Sequence, residues 1–166
     1  DPTVRAIVMQ GQPGIFCAGN DLGDFLERPL GGRSDTLSPF MLEFFRSEKP
    51  IVAAVTGPAV GVGVTMLLHC DLVYLSDRAR LSLPFVNLGL VPEFASSLLL
   101  PRLLGSARAA AKLYLGEPID PAEAVACGLA TAAELKLTLS APALSSRRTS
   151  ATVRTPPPTV SGMKTC

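Results

Sequence analysis

Residues 51–68 read IVAAVTGPAVGVGVTMLL, and this stretch decides the fold. Its first five residues form a short apolar run, rich in Val and Ala, that is typical of a buried strand. Gly57-Pro58 ends the run as a turn dipeptide, and the apolar residues that follow suit a buried helix. Gly61 and Gly63 lie where that helix is expected to begin, and they let a ligand approach the backbone. The free N–H groups of a first helical turn favour an anion or a developing oxyanion, so the stretch also predicts a site.

The bulk composition argues against several classes of protein. A net charge of +1 gives no electrostatic reason to expect nucleic acid or an anionic membrane as a partner. Every apolar run is shorter than a bilayer span, which predicts that the chain has no transmembrane helix. The four cysteines are too scattered for a zinc site and fit a reducing, intracellular compartment.

Elsewhere along the chain, strand-like and helix-like segments alternate. This order predicts a layered α/β domain with parallel strand pairing. Asn20 and Asp21 are helix-start residues, so a second set of free backbone donors is expected there. Asp120 is the expected N-cap of the last helix, and Gly128 its stop. Strands are predicted at 4–9, 71–75 and 80–83, and helices at 40–47, 94–104 (interrupted or kinked near Pro101), 107–115 and 121–127.

The character of the sequence changes from about Glu134 onwards. Ser, Thr, Arg and Pro dominate, and the apolar periodicity disappears. We therefore expect a core at 1–132 and a disordered or aberrant tail at 133–166. Our hypothesis for the tail is a shifted reading frame, or a degraded gene, near Leu135. The start at Asp1, without Met, predicts a fragment or a processed chain.

The glycine loop alone also fits a dinucleotide-binding site. Asp77 lies about twenty residues beyond Gly57, where a ribose-binding acid is expected. Against this alternative, the loop follows the second strand of the chain rather than the first. Neither tyrosine is followed four residues later by Lys, since Tyr74 precedes Arg78 and Tyr114 precedes Pro118 at that spacing.

Several segments taken together are more specific than the loop. They are FCAGNDL (16–22), GPAVGVG (57–63), Cys70-Asp71, LGLVPE (88–93), Ala122-Glu123-Ala124 and Gly128-Leu129-Ala130. Their order and spacing resemble the enoyl-CoA hydratase/isomerase (crotonase) superfamily, and within it most closely the Δ3,Δ2-enoyl-CoA isomerases. The resemblance implies an α/β, crotonase-like fold, the layered β-β-α superhelix of the ClpP/crotonase class. The family's first strands precede Val4 and its C-terminal helices follow Leu129, so the resemblance also implies a core that is truncated at both ends.

The resemblance further implies an acyl-CoA substrate whose thioester carbonyl is polarised by two backbone N–H groups. The matching positions are Asn20 and Val62, at the two helix starts identified above. Such donors are worth about a hundredfold or more in rate. Ala18, Gly19, Asn20, Asp21 and Leu22, together with Gly61, match the segments expected to bind the substrate.

The catalytic base implied by the resemblance is Glu93, which lies within an apolar stretch. Isomerisation moves one proton from C2 to C4, so a single carboxylate suffices, and burial that raises its pKa suits the task near neutral pH. Hydration needs two acidic side chains, and the family's hydratase glutamates fall at Thr65 and Phe85. The pattern therefore favours isomerisation of 3-enoyl-CoA to 2-enoyl-CoA, in fatty-acid catabolism, over hydration.

Purely structural interpretations stand beside these hypotheses. Glu93 follows a proline at a helix start and interacts favourably with the helix dipole there. Asp21 is also explained as a helix-start residue, and His69 as a packed or capping group. Solvated helix faces, or alternatively CoA phosphates, account for three basic residues: Arg102, Arg108 and Lys112.

Other activities and states stay open at this point. They are another crotonase-type enzyme (hydratase, ring isomerase or thioesterase) and an inactive CoA-binding or degenerate fragment. We expect no cofactor apart from coenzyme A within the substrate, no metal, and neither nucleic acid nor membrane as a partner. The family implies a homo-trimer or hexamer, which a shortened chain puts in doubt. A bacterial-type cytoplasmic location is expected, with a peroxisome or mitochondrion as the alternative.

Overall fold

The computed structural model describes residues 2–21, 23 and 39–133 of the chain. Strands and helices are both present along these ranges, as predicted, but they do not strictly alternate, and the last three elements are all helices. The elements are β1 (Ile7–Gln10), α1 (Pro39–Arg46), β2 (Ile51–Val55), β3 (Pro58–Val60), α2 (Val62–Thr65), β4 (Leu72–Leu75), β5 (Arg80–Ser82), α3 (Ser96–Leu104), α4 (Ser106–Tyr114) and α5 (Pro121–Ala126). Two 3₁₀ turns lie at Met66–His69 and Val86–Leu88.

The larger sheet has three parallel strands in the order β1-β2-β4. In the central strand, Val52 lies opposite Val8 on one side and Leu72 on the other. Parallel strands need crossover connections, and α1 and α2 lie in these crossovers. Four of the five β2 residues are buried, which confirms the predicted buried strand and parallel pairing.

A smaller sheet consists of two parallel strands, β3 and β5, and β3 leads directly into α2. Bridges extend this sheet on both sides: Cys17 pairs with Ala59, and Ile119 pairs with Leu81. The segment around Cys17 therefore lies beside β3, although more than forty residues separate them in sequence. This pairing brings together two of the motifs identified in the sequence.

The core lies where the two sheets meet the later helices. Val55, Leu75, Leu81 and Leu100 are fully buried within it. Burying a side chain of this kind stabilises the fold by about 1.5–3 kcal/mol. The helix predicted near the end of the core is confirmed, because the Asp120 carboxylate accepts a hydrogen bond from the Glu123 N–H at 2.8 Å at the start of α5.

The N-terminal strand differs from the prediction of a buried strand at 4–9. It begins at Ile7, and the side chains of Ile7 and Val8 are 37% and 44% exposed. In the described part of the chain, β1 pairs with β2 alone and forms an edge of the sheet. Fewer neighbours therefore cover its side chains.

One strand was missed and one helix start was wrong. Strand β3 precedes the helix predicted near Gly61, because the Pro58 carbonyl accepts hydrogen bonds from the distant Phe16 and Cys17 N–H groups at 2.9 and 3.3 Å. Helix α3 begins at Ser96 instead of residue 94, and it continues across Pro101 without the expected interruption. Of the predicted tail at 133–166, residues 134–166 lie outside the described ranges.

Candidate active site

Glu93 lies in a tight turn that leads into α3. Phe94 and Ala95, the next two residues, have φ angles of 53° and 56°, in the left-handed region that side chains other than glycine rarely adopt. Each such residue costs on the order of 1–3 kcal/mol. The Glu93 carbonyl accepts hydrogen bonds from the Ser96 N–H at 3.0 Å and from the Ser96 hydroxyl at 2.6 Å. A buried serine thus holds a strained turn directly after the predicted base.

The two carboxyl oxygens of Glu93 have different surroundings. Oε1 accepts a hydrogen bond from the Thr65 hydroxyl at 2.7 Å. Oε2 is buried and has no hydrogen-bond partner among the described residues. A buried acceptor without a partner is unfavourable and calls for an explanation, and a reacting group is one. The carboxyl group therefore has one oxygen with a hydrogen-bond partner and one oxygen without a partner among the described residues.

The pKa of the Glu93 carboxyl is raised above its ordinary value. Burial is the larger cause, and the hydrogen bond from Thr65 acts in the opposite direction because it stabilises the ionised form. The predicted upward direction is thus confirmed. Such a carboxylate holds a proton more tightly than a solvated one and still releases it, which suits proton transfer near neutral pH.

Three rings, those of His69, Phe94 and Phe45, pack together at the same turn. The His69 ring stacks on Phe94 with centroids 4.3 Å apart, and its Nε2 lies 2.8 Å from the Phe94 carbonyl oxygen. Phe45 of α1 packs edge-on against both rings. His69 is therefore a packed, hydrogen-bonded group, as its structural interpretation predicts.

The two predicted backbone-donor segments lie side by side. The Val60 N–H donates to the Cys17 carbonyl at 2.9 Å, and a Cβ placed on Gly19 would lie 3.1 Å from the Val60 carbonyl oxygen. A Cβ on Gly63 would lie 2.7 Å from the Cys17 Cβ. Glycine is therefore required for this close packing, which brings the chain leading to Asn20 against the turn that precedes Val62.

The helix start at Val62 has the predicted form. Gly61 adopts a left-handed conformation with φ 55°, and its N–H donates to the Ser82 carbonyl at 2.9 Å. Its own carbonyl accepts from the Val64 and Thr65 N–H groups. The first N–H groups of a helix have no acceptor within the helix, so Val62 is suited to donate to a ligand.

The other predicted substrate-binding positions are residues 18–22. Ala18, Gly19 and Asn20 precede a local turn in which the Asp21 carboxylate accepts a hydrogen bond from the Gly23 N–H at 2.8 Å. This bond accounts for Asp21 as a residue that shapes the backbone. Leu22 lies outside the described residues.

Sequence reasoning missed two residues of the site, Thr65 and Ser96. Thr65 was noted as a hydratase position that lacks a carboxylate, but its contact with Glu93 spans 28 residues and no local pattern predicts it. The resemblance was the available signal, because it placed a hydratase acid at position 65 and the isomerase acid at position 93. Ser96 carried no signal beyond its position three residues after Glu93.

Lys112 was wrongly assigned to a solvated helix face. Its side chain is 8% exposed, and its Nζ lies 2.9 Å from a carboxylate oxygen of Glu123. Nζ also donates to the Pro118 carbonyl at 3.0 Å. These bonds engage the ammonium group in structural contacts between α4 and α5, so it is not available to a CoA phosphate.

The dinucleotide alternative loses its structural basis. A dinucleotide-binding loop leads from a strand directly into a helix, whereas β3 separates Gly57 from α2 here. Gly57 instead packs against another loop, since an added Cβ would lie 2.5 Å from the Gly14 carbonyl oxygen. Its role is close loop packing.

The sheets, the paired glycine segments and the half-buried glutamate together match one family. The sequence model described as "Enoyl-CoA hydratase/isomerase" matches residues 1–149. The chain belongs to this family and has its α/β crotonase fold. The match also extends beyond residue 133, into the predicted tail.

Several named proteins and solved structures are similar to this chain. "Enoyl-CoA delta isomerase 2" of Rattus norvegicus is 41% identical over 130 residues, which cover 75% of this chain and 33% of the relative. A Bacillus subtilis (strain 168) protein named "Probable enoyl-CoA hydratase" is 36% identical over 78% of this chain and 52% of its own length. The solved structure of Pseudomonas aeruginosa OdaA is 52% identical, with a TM-score of 0.74, over 81% of this chain and 54% of that one. The chain thus spans a third to about half of these relatives.

In residues 2–21, 23 and 39–133, no helix is long and apolar enough to cross a membrane. Within the same ranges, no cluster of three or more His, Cys, Asp or Glu side chains is placed to hold a metal ion.

Proposed function

We propose that this chain forms the catalytic core of an enoyl-CoA isomerase, which converts 3-enoyl-CoA to 2-enoyl-CoA in fatty-acid catabolism. The observation that carries the proposal is Glu93, a half-buried carboxyl group of raised pKa with one unpartnered oxygen. A single group of this kind suffices to move one proton between two carbons. The rat relative named as an isomerase supports the same reaction.

In the proposed reaction the Glu93 carboxylate removes a proton from C2 of the substrate. The electron pair of that bond moves towards the thioester carbonyl and forms an enolate. The N–H groups of Asn20 and Val62 donate to the enolate oxygen, and fixed backbone donors of this type stabilise the developing charge. Return of the proton at C4 shifts the double bond into conjugation and regenerates the carboxylate.

The substrate is proposed to be an acyl-CoA. Its thioester would lie between the Ala18–Asp21 segment, with Leu22 beyond it, and the turn at Gly61. The close packing of Gly19 against Val60 supports this proposal, because the two segments lie next to each other.

Hydration is the second candidate, since one relative is named as a hydratase. Adding water to a double bond needs one group to activate the water and another to deliver a proton. The second acid position holds Thr65, whose hydroxyl is a poor general acid or base, and Phe85 is a core residue that is 5% exposed. The side chains therefore favour isomerisation over hydration.

The test is turnover of a trans-3-enoyl-CoA by the full chain, followed by the ultraviolet absorbance of the conjugated product. Glu93→Gln is expected to lower kcat roughly 10²- to 10⁴-fold, because the amide cannot accept the proton. Glu43→Gln is the matched control, since this carboxylate on α1 has a side chain that is 79% exposed. Activity in Glu93→Gln equal to that of the control would refute the proposed base. Faster loss of a conjugated 2-enoyl-CoA than its formation would favour hydration.

A further inference from the structure

The non-equivalence of the two Glu93 oxygens has a consequence for the reaction proposed above, on which this inference rests. The Thr65 hydroxyl approaches Oε1 to 2.7 Å, a distance typical of a hydroxyl that donates to a carboxylate. Oε2 is buried and has no hydrogen-bond partner among the described residues. The asymmetry is built into the fold, because the groups that create it are themselves fixed.

Thr65 is held rigidly. Its side chain is fully buried at the end of α2, and a β-branched side chain has few χ1 conformations in a helix. Its Oγ1 also lies 3.4 Å from the Val62 carbonyl oxygen, but a hydroxyl has one proton to donate. The much shorter distance to Oε1 directs that proton to the ionised carboxylate.

Glu93 is held from the other side by its backbone. Its carbonyl accepts two hydrogen bonds from Ser96, and the carbonyl of Phe94 lies 2.8 Å from His69 Nε2. With both the main chain and Oε1 fixed, exchange of the two oxygens by rotation about the last side-chain bond requires breaking the bond to Thr65.

We propose that Thr65 is a positioning residue that reserves Oε1, so that Oε2 alone removes and returns the proton. The C2–H bond breaks and the Oε2–H bond forms, while the electron pair passes into the enolate. The Oε2–H bond then breaks as the C4–H bond forms, and the double bond moves from C3–C4 to C2–C3. The hydroxyl proton of Thr65 stays on Thr65 throughout.

Among the residues that the structure describes, few ionisable groups lie near this carboxyl group. His69, in the 3₁₀ turn after α2, contacts the neighbouring Phe94 through its ring and its Nε2. On α1, Glu43 and Arg46 pair with each other at 3.9 Å and are 79% and 71% exposed. Arg102 on α3 is exposed. Burial and the Thr65 hydroxyl therefore dominate the titration of Glu93.

The experiment compares the pH dependence of kcat for the wild type, Thr65→Val and Thr65→Ser. The base must be ionised, so activity rises with pH through its pKa. Valine removes the bond to the ionised form, which moves this acidic limb to higher pH and lowers the plateau roughly 10- to 100-fold through lost orientation. Serine keeps the hydroxyl, and the limb is expected to stay near its wild-type position.

Thr131→Val is the matched control. Its hydroxyl accepts a hydrogen bond from the Val73 N–H at 3.1 Å, in β4. This variant loses a structural bond by the same substitution, and we expect its acidic limb to remain unmoved. A Thr65→Val limb at the wild-type position, or a Thr65→Ser limb displaced as far as that of valine, would overturn the proposal.

Two further measurements keep the test decisive. If Thr65→Val does not fold, Thr65→Cys keeps a side chain of similar size with a weaker donor, and the limb should move in the same direction. If turnover is too slow to profile, infrared titration of the Glu93 carboxyl against Glu93→Gln reports the same displacement. Should Glu93→Gln retain full activity, the proposed function fails. Should Glu93→Gln lose activity while Thr65→Val leaves the limb unmoved, this inference alone fails.

Discussion

At the scale of single residues, the burial that raises the pKa of Glu93 also has a cost in stability. Its pKa is raised in the folded chain above the ordinary value of 4.5, chiefly by burial. Between that value and the folded pKa, the folded state therefore binds more protons than the unfolded state. By linkage, the free energy of unfolding must fall as pH rises through this window.

This sign gives a prediction for Glu93→Gln that is independent of activity. The amide has no charged form to desolvate, so the variant should unfold at a higher temperature than the wild type at pH 7. The difference should shrink as pH falls below 4.5, where the glutamate is protonated in both states. Thermal unfolding of both proteins between pH 4 and pH 8 checks this. A gap in melting temperature that widens towards acid pH would contradict it.

The sequence predicted a candidate base but not the contacts that hold it. Glu93 and its raised pKa follow from a carboxylate in an apolar stretch, within a motif that resembles a known family. The bond from Thr65 and the left-handed conformation of Phe94 follow from tertiary contacts that span 25 to 28 residues. Local propensity carries no information on such contacts.

At the scale of elements, the junction between the Cys17 segment and α2 is the tightest part of the site. The Cβ added in Gly63→Ala would lie 2.7 Å from the Cys17 Cβ and 3.0 Å from the Cys17 carbonyl oxygen. We expect this variant to lower the free energy of unfolding by about 1–3 kcal/mol, as overpacking typically does. Isomerase turnover should fall as well, because both donor segments must shift.

Urea unfolding and the enoyl-CoA assay measure these effects. Cys17→Gly in the Gly63→Ala background removes the side-chain clash and should restore part of the stability. A Gly63→Ala variant as stable and active as the wild type would show that this junction adapts freely.

Elements with strong local signals were predicted well. The apolar run of β2 and the capping residues of α5 are local patterns, and each indicated its element directly. Strand β3 was missed because three residues after a turn become a strand only through pairing with β5 and Cys17. The start of α3 was misplaced because two residues before it adopt the left-handed region.

At the scale of the whole molecule, the ammonium group of Lys112 joins the last two described helices. It lies 2.9 Å from the Glu123 carboxylate and bonds to the Pro118 carbonyl. Lys112→Met keeps most of the side-chain volume but leaves that carboxylate and carbonyl without their partner. The expected loss is about 1–3 kcal/mol in the free energy of unfolding, since one member of a largely buried pair is removed.

Denaturant unfolding of Lys112→Met measures this loss, with Arg46→Met as the control. Arg46 forms an exposed pair at 3.9 Å with Glu43, and its removal should change stability by less than about 1 kcal/mol. Equal losses in the two variants would show that the Lys112 cluster contributes no more than a surface pair.

The hydrogen bond between Thr65 and Glu93 also links two parts of the proposed site. The proposed donors at Asn20 and Val62 belong to the β3 region, whereas Glu93 is carried by α3 and the aromatic rings around Phe94. Thr65 stands on α2, three residues after Val62, so its hydroxyl ties the spacing of the base to the position of the donors. Because of this bond, we expect a small movement of α3 relative to the sheets to displace the proposed base and the proposed donors together. Their relative alignment would then be kept.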